Sequence, residues 1–391
     1  MLCSCFLAVL RGAYLTYAGE ATIERSAEKD GRQSVELPPS RIELSLLWLL
    51  AAVLFVVVLI QFQSYASKVD TFGDNDSYLA AANAIRHWNF HGMEVKVFWG
   101  LSYMMAGLSW LRVPPRTALL LICMFSSLLS ELMARHLWGP WIAGFFTVLS
   151  FRWIQVSMLG GAEPLFVALL FSSFWAVRKE RWLGATALAA LATLVRPVGI
   201  FALLGIGLTL ILGRDYKKAG LCTLLAALIG GLYLLPFWLY FHDPLYEFHA
   251  YKRFDWQSGS AVSFPFRAIV ISLLHNRGTW TSVLWTTGWI IFAFAGLCAM
   301  CRTGFRQYIR EHRVEYIFAF LYLAFLFSYN SVAWARAESP RFVIPVVPFL
   351  LLAFQRWLPR SRYVLYGLCV VSSVLGACSA VGIRNVMSAL R

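Results

Sequence analysis

The chain has 391 residues, 59% of them hydrophobic and only 14% charged, with a formal charge of +14. A soluble domain of this length needs far more polar surface to cover its core, which excludes an ordinary water-soluble enzyme and points to an all-α polytopic membrane protein. The basic excess does not indicate a nucleic-acid partner: Lys and Arg sit in short loops between apolar runs, as the positive-inside rule expects, and no soluble segment interleaves them with stacking aromatics.

Residues 1–44 read as an N-terminal cytoplasmic tail. Its first 15 residues are apolar, but Arg11 interrupts them, no cleavage site follows, and the stretch 19–40 is polar. That pattern suits a tail better than a signal peptide. Residues 45–391 read as a single transmembrane domain with no internal repeat. Apolar runs predict spans at 45–62, 117–135, 139–157, 162–177, 183–195, 198–212, 219–241, 283–301, 315–333, 342–356 and 363–382, about eleven helices in all. They are too long, and too uniformly apolar, for the strands of an outer-membrane barrel.

The first long connection, 63–116, is expected to be external and to carry interfacial helices. Within it the stretch 98–111 is apolar but short, with Gly100 and Gly107 inside. Its length fits an interfacial or re-entrant helix rather than a span. The densest basic loops, around Arg178, Lys217, Arg306 and Arg360, then all fall on the cytoplasmic side. The opposite face receives 63–116, the turn at Gly160, the break at Arg196-Pro197, the loop 242–282 and the turn before Arg341. Every candidate chemical residue lies at one of those places.

Asp74 and Asp76 head a predicted helix from Ser77 to His91, with Gly92 as its stop and an apolar face at Leu79, Ala82 and Ile85. A carboxylate at a membrane interface can serve as a general base towards a hydroxyl; the competing reading is a helix cap. Glu163 opens an apolar run with Pro164 behind it, which suits the first helical turn and the helix dipole as well as a hydroxyl-binding acid. Arg196 stands before Pro197 in the middle of a long apolar stretch, so the helix is expected to break there. Broken helices at membrane depth are tolerated where they are buried in protein or line a watery cavity, and an intramembrane Arg is a functional candidate; the competing reading is an Arg snorkelling at a simple hairpin tip. Glu338 and Arg341 precede a proline-punctuated helix, and the planar fork of Arg341 suits phosphate; the competing reading is an internal Arg–Glu ion pair.

Other signals are weaker. His87 and His91 are four apart with Glu94 beyond, a spacing compatible with metal ligands, but nothing completes a coordination shell and no metal is expected. Cys298 and Cys301 form a lone C-x-x-C, and most other cysteines lie in apolar runs. The loop 242–282 mixes aromatics with charges without a diagnostic pattern.

Together, Gly73-Asp74 with Tyr78, Glu163-Pro164-Leu165-Phe166, Arg196-Pro197-Val198-Gly199, and Glu338 with Arg341-Phe342 resemble the GT-C superfamily of membrane glycosyltransferases. Their order is similar to that in bacterial relatives of the GPI and dolichyl-phosphate-mannose mannosyltransferases, over about residues 45–360. The resemblance implies transfer of a sugar, mannose favoured, from a polyprenyl-phosphate donor to a lipid or glycan acceptor, with inversion and without a cofactor. It implies an active site on the extracytoplasmic face of a bacterial inner membrane. Asp74 takes the catalytic role, with Asp76 as runner-up; Tyr78, Glu163, Arg196, Glu338 and Arg341 are implied substrate-binding residues. Ala337-Glu338-Ser339-Pro340 departs from the His-Glu or Glu-Glu of those relatives. A membrane transporter or lipid-linked sugar flippase is the alternative that broken helices and intramembrane charge also permit.

Overall fold

The computed structural model describes residues 37–63, 74–90, 97–255, 262–275, 280–301, 305–330 and 338–382. The predicted tail 1–44 lies mostly outside them, as do His91, Gly92, Glu94 and parts of the loops 63–116 and 242–282. The described residues from Pro38 onward belong to one compact unit.

That unit is all-helical. In chain order the helices are α1 (Arg41–Gln63), α2 (Asp74–His87), α3 (Gly100–Trp110), α4 (Pro115–Trp138), α5 (Pro140–Leu149), α6 (Phe151–Leu159), α7 (Glu163–Arg178), α8 (Trp182–Val195), α9 (Ile200–Leu212), α10 (Tyr216–Phe241), α11 (Tyr246–Asp255), α12 (Arg267–His275), α13 (Trp280–Met300), α14 (Arg306–Glu311), α15 (Arg313–Ser328), α16 (Ser339–Phe342), α17 (Val347–Ala353) and α18 (Arg362–Val381). Among the described residues strand geometry is limited to an isolated bridge between Val262 and Tyr329.

Four helices, α1, α4, α10 and α18, are long and apolar enough to cross a membrane. A fifth crossing is possible if α5 and α6 count as one, but they bend by 74°. The continuous helix expected over 139–157 is therefore two helices. Ser150 takes extended backbone between them, and Pro140 and Gly139 (φ +91°) punctuate the preceding turn. The span expected at 342–356 is also interrupted: α16 gives way to a 3-10 turn, Ile344–Val346, and then to α17, in a stretch carrying Pro340, Pro345 and Pro348. The helix expected from Ser77 to His91 instead begins at Asp74 and ends at His87.

The break expected at Arg196 is present. Pro197 has no N–H to continue α8, Arg196 turns to extended backbone (φ −145°, ψ 125°), and Pro197–Gly199 forms a 3-10 turn before α9. The short helix α3 has 11 residues, about 16 Å at ~1.5 Å per residue, roughly half of a ~30 Å hydrocarbon core.

Helix α7 is the central post. It packs against α4 and α8, while α1 packs on α18, α9 on α15, and α2 on α3. Aromatic rings fill the interior: Phe174 meets Phe318 and Phe349 edge-on, and Trp138 meets Phe171 and Phe349 in the same way. The outside is apolar too. On α10, Leu221, Leu224, Leu228, Leu232, Leu235 and Leu239 recur at spacings of three and four and are all exposed. Such a stripe suits lipid contact.

Candidate active site

The candidate residues approach one another because several local devices bring distant segments to the start of α7. The turn between α6 and α7 is made by Gly160, whose φ of +100° disfavours any L side chain. Asn75, the second residue of α2, reaches that turn and donates its Nδ2 to the Leu159 carbonyl at 3.0 Å. This contact lays the first turn of α2 over the N-terminus of α7. Ser102 Oγ on α3 donates to the Tyr78 carbonyl at 3.1 Å and holds α2 from the other side. Two residues placed side by side on neighbouring helices by these bonds are Asp74 and Glu163.

Two guanidiniums then bind the acids. Arg341 on α16 donates Nη2 to Asp74 Oδ2 at 3.1 Å and its Nε to Glu163 Oε1. Its Nη1 stands 3.6 Å from Glu338 Oε2, an ion pair too long for a hydrogen bond. Arg196 places Nη2 at 2.9 Å from the same Glu163 oxygen and lies over the Phe342 ring at 4.9 Å. Phe342 is fixed in turn by Tyr322, whose hydroxyl donates to its carbonyl at 2.6 Å. Segments 267 positions apart thus share one cluster of three carboxylates and two guanidiniums.

Exposure separates the members. The Glu163 side chain is 0% exposed and Arg341 6%, whereas Asp74 is 49% and Glu338 29% exposed. Glu163 is a sealed counter-ion between two arginines, placed at a helix N-terminus where the dipole also favours it. Asp74 is open on one side and held by Arg341 on the other. Four buried polar atoms at the cluster have no hydrogen-bond partner: Glu163 Oε2, Arg196 Nη1, Glu338 Oε2 and Ser339 Oγ. Native structures pair nearly all such atoms, which marks the cluster as a candidate for binding.

Tyr78 is buried beside the cluster. Burial, with the Asp74 charge next to it, raises its phenol above the ordinary range, so it stays a neutral side chain. Asp76 is elsewhere: it is exposed, two residues beyond Asp74 and therefore on another face of α2. Of the seven residues singled out from sequence, six are thus assembled or adjacent and Asp76 is not. Tyr322 and Asn75 belong to the arrangement and were not singled out. Asn75 stands inside the acidic string that was; Tyr322 is an aromatic within an aromatic span and carries no local signal.

Two further acids lie away from this cluster. Glu315 accepts Arg178 in a bidentate pair at 2.6 and 2.9 Å, with Tyr308 at 2.5 Å and Trp138 Nε1 at 3.2 Å completing its shell. Arg178 ends α7 as Glu163 begins it, so the two ionic clusters stand about 22 Å apart along one helix. Glu131 lies fully buried within α4. Among the described residues no group of three His, Cys, Asp or Glu side chains is arranged to hold a metal. No family model, curated protein or solved structure matches the chain.

Proposed function

We propose that the chain is an inverting membrane glycosyltransferase of GT-C type that moves a sugar, mannose favoured, from a polyprenyl-phosphate donor to a hydroxyl of a lipid or glycan acceptor. The observation that carries this reading is the convergence of Asp74, Glu163, Arg196, Glu338 and Arg341 on one half-open ionic cluster at a broken helix. Buried charges also meet for pairing alone, as Arg178 and Glu315 do; this cluster differs in its half-exposed Asp74 and the unpaired Arg196 Nη1.

In this reading Asp74 is the base. It is the most exposed carboxylate of the cluster, and Arg341 Nη2 holds its Oδ2 at 3.1 Å. Asp74 accepts the proton of the acceptor hydroxyl. The oxygen attacks the anomeric carbon as the bond from that carbon to the phosphate oxygen breaks, and the electron pair leaves with the phosphate. Arg196, whose Nη1 is unpaired, and Arg341 would stabilise the charge gathering there in a low-dielectric setting. Glu163 holds both guanidiniums in place and touches neither reacting atom. A positioned base of this kind contributes about 10²–10⁴-fold.

The same reading takes the shorter apolar helices as further crossings, about eleven in total, with α3 as a re-entrant element and the cluster on the extracytoplasmic face of a bacterial inner membrane. The Arg178–Glu315 pair would mark the cytoplasmic end of α7, as the basic loop that follows it suggests.

The test is a transfer assay with the purified protein and a panel of polyprenyl-phosphate sugars (mannose, glucose, arabinose, aminoarabinose), read by product mass. Cleavage of the sugar from its phosphate, lost in Asp74→Asn, supports the reading. A donor that crosses the bilayer intact, with no sugar released, refutes it in favour of transport.

A further inference from the structure

A buried acid outside the ionic cluster is tied to it through the backbone. Glu247 on α11 is 1% exposed and lies beside the aromatic core formed by Phe90, Trp99, Tyr233 and Phe237. Its Oε1 accepts the Trp99 backbone N–H at 3.1 Å, and its two oxygens accept the Tyr233 hydroxyl at 2.8 and 2.7 Å. The same Trp99 N–H also reaches the Tyr233 oxygen at 2.9 Å. Among the described residues no basic side chain pairs with Glu247; the titratable groups facing it are Tyr233 on α10 and Tyr103 on α3. A buried carboxyl that accepts from two donors ties together the segments that carry them.

Trp99 is the residue at which α3 starts, and its N–H is one of the donors a helix start leaves open. The next residue, Gly100, lies directly on another helix. A Cβ at Gly100 would stand 2.5 Å from the Leu194 carbonyl carbon and oxygen and 2.6 Å from the Val195 nitrogen. Only a residue without a side chain permits that approach. Val195 ends α8, and the residue after it is Arg196.

We propose that Glu247 is a positioning residue for Arg196: by holding the Trp99 amide and the Tyr233 hydroxyl, it fixes the start of α3 against the Leu194–Val195 backbone and so keeps the Arg196 guanidinium on Glu163. The proposal rests on the reading of the ionic cluster as the active site. Glu247 touches no member of that cluster; it acts through Trp99, Gly100 and the end of α8. Burial pushes its carboxyl up to about 8, so the clamp changes charge just above neutral pH.

Hydrogen–deuterium exchange of the full chain in lipid nanodiscs tests this. The reporters are the Arg196 amide, bonded to the Ala192 carbonyl at 2.9 Å, and the Gly199 amide, bonded to the Arg196 carbonyl at 2.9 Å. Glu247→Ala should raise their exchange roughly tenfold or more, the size expected when hydrogen bonds to a buried acid are lost. Glu247→Gln still accepts from Trp99 and should restore protection. In the parent protein, exchange at the two reporters, corrected for intrinsic rate, should rise from about pH 5 to about pH 8 and level off above it, and that rise should vanish in Glu247→Gln. Tyr233→Phe should show a smaller effect in the same direction, and decides the matter if Glu247→Ala does not fold. Exchange that rises only around α11, or a Gln variant as disturbed as the Ala variant, overturns the proposal. Where transfer is measurable, Glu247→Ala should lower kcat and Glu247→Gln should not. Absence of transfer in the parent protein would refute the functional reading while leaving the exchange result to judge the clamp.

Discussion

Asp74→Asn and Glu163→Gln remove one charge each from the same cluster and should have opposite consequences. Glu163 is sealed and bound by both Arg341 and Arg196. Neutralising it removes the carboxylate that two buried guanidiniums share. Breaking a buried pair in this way costs about 3–5 kcal/mol, because the surviving charge stays desolvated. Asp74 is half exposed and meets Arg341 at 3.1 Å. Water screens that pair, and Arg341 keeps Glu163 and Glu338, so its removal should cost about 1 kcal/mol or less. Activity should run the other way. Asp74→Asn retains size and shape but cannot take a proton, and transfer should fall by about 10²–10⁴-fold. Thermal unfolding in detergent, followed by tryptophan fluorescence, measures the first effect; release of labelled sugar measures the second. An Asp74→Asn protein that transfers at near-normal rate removes the base assignment. One that unfolds as readily as Glu163→Gln shows that Asp74 serves the fold instead.

Other outcomes follow from particular contacts. Glu315→Ala should destabilise by about 3–5 kcal/mol through the stranded Arg178, and its folded fraction should keep full activity, which unfolding and transfer measured on one preparation will show. Gly160→Ala forces a side chain into φ +100° and places its Cβ 2.9 Å from Leu119 Cδ2; a cost of about 1–3 kcal/mol and weakened docking of Asn75 are expected, read by the same unfolding assay. Gly100→Ala pushes α3 off the Leu194 backbone and should lower activity more than stability, since the clash bears on the residues leading into Arg196. Glu247 gives a pH dependence of known sign. Its carboxyl rises from an ordinary 4.5 to about 8 on folding, so the fold binds its proton more tightly than the unfolded chain does. The stability it contributes is fully present below about pH 4.5 and is lost as pH rises through about 8. Unfolding midpoints across that window should fall in the parent protein and flatten in Glu247→Gln; equal slopes in the two would remove Glu247 as the source.

Much of the architecture is written in local patterns. Long apolar runs make α1, α4, α10 and α18 membrane-length helices whatever surrounds them, because an unpaired backbone is not tolerated in hydrocarbon. Pro197 breaks the helix after α8 by removing a donor, an effect internal to two residues. The stretch 98–111 is too short to reach across a bilayer, and α3 has the length its composition suggested. The bend at Ser150 has no proline or glycine beside it to announce it, and packing decides that the chain turns there.

The site divides along the same line. Residue types, spacing and chain order mark Asp74, Glu163, Arg196 and Arg341 as unusual, since a charge among apolar residues is costly wherever it sits. Which acid faces the arginines is a matter of helix phase and docking: Asn75 on the Leu159 carbonyl turns Asp74 inward and leaves Asp76 in the open. The part Glu163 plays could not be read from its neighbours in the chain either, because both its partners arrive from other helices. Glu247 shows the limit most plainly. In the chain it is one acid in an aromatic-rich connection, and what it does depends on Trp99 and Tyr233, brought to it by folding from 148 and 14 positions away.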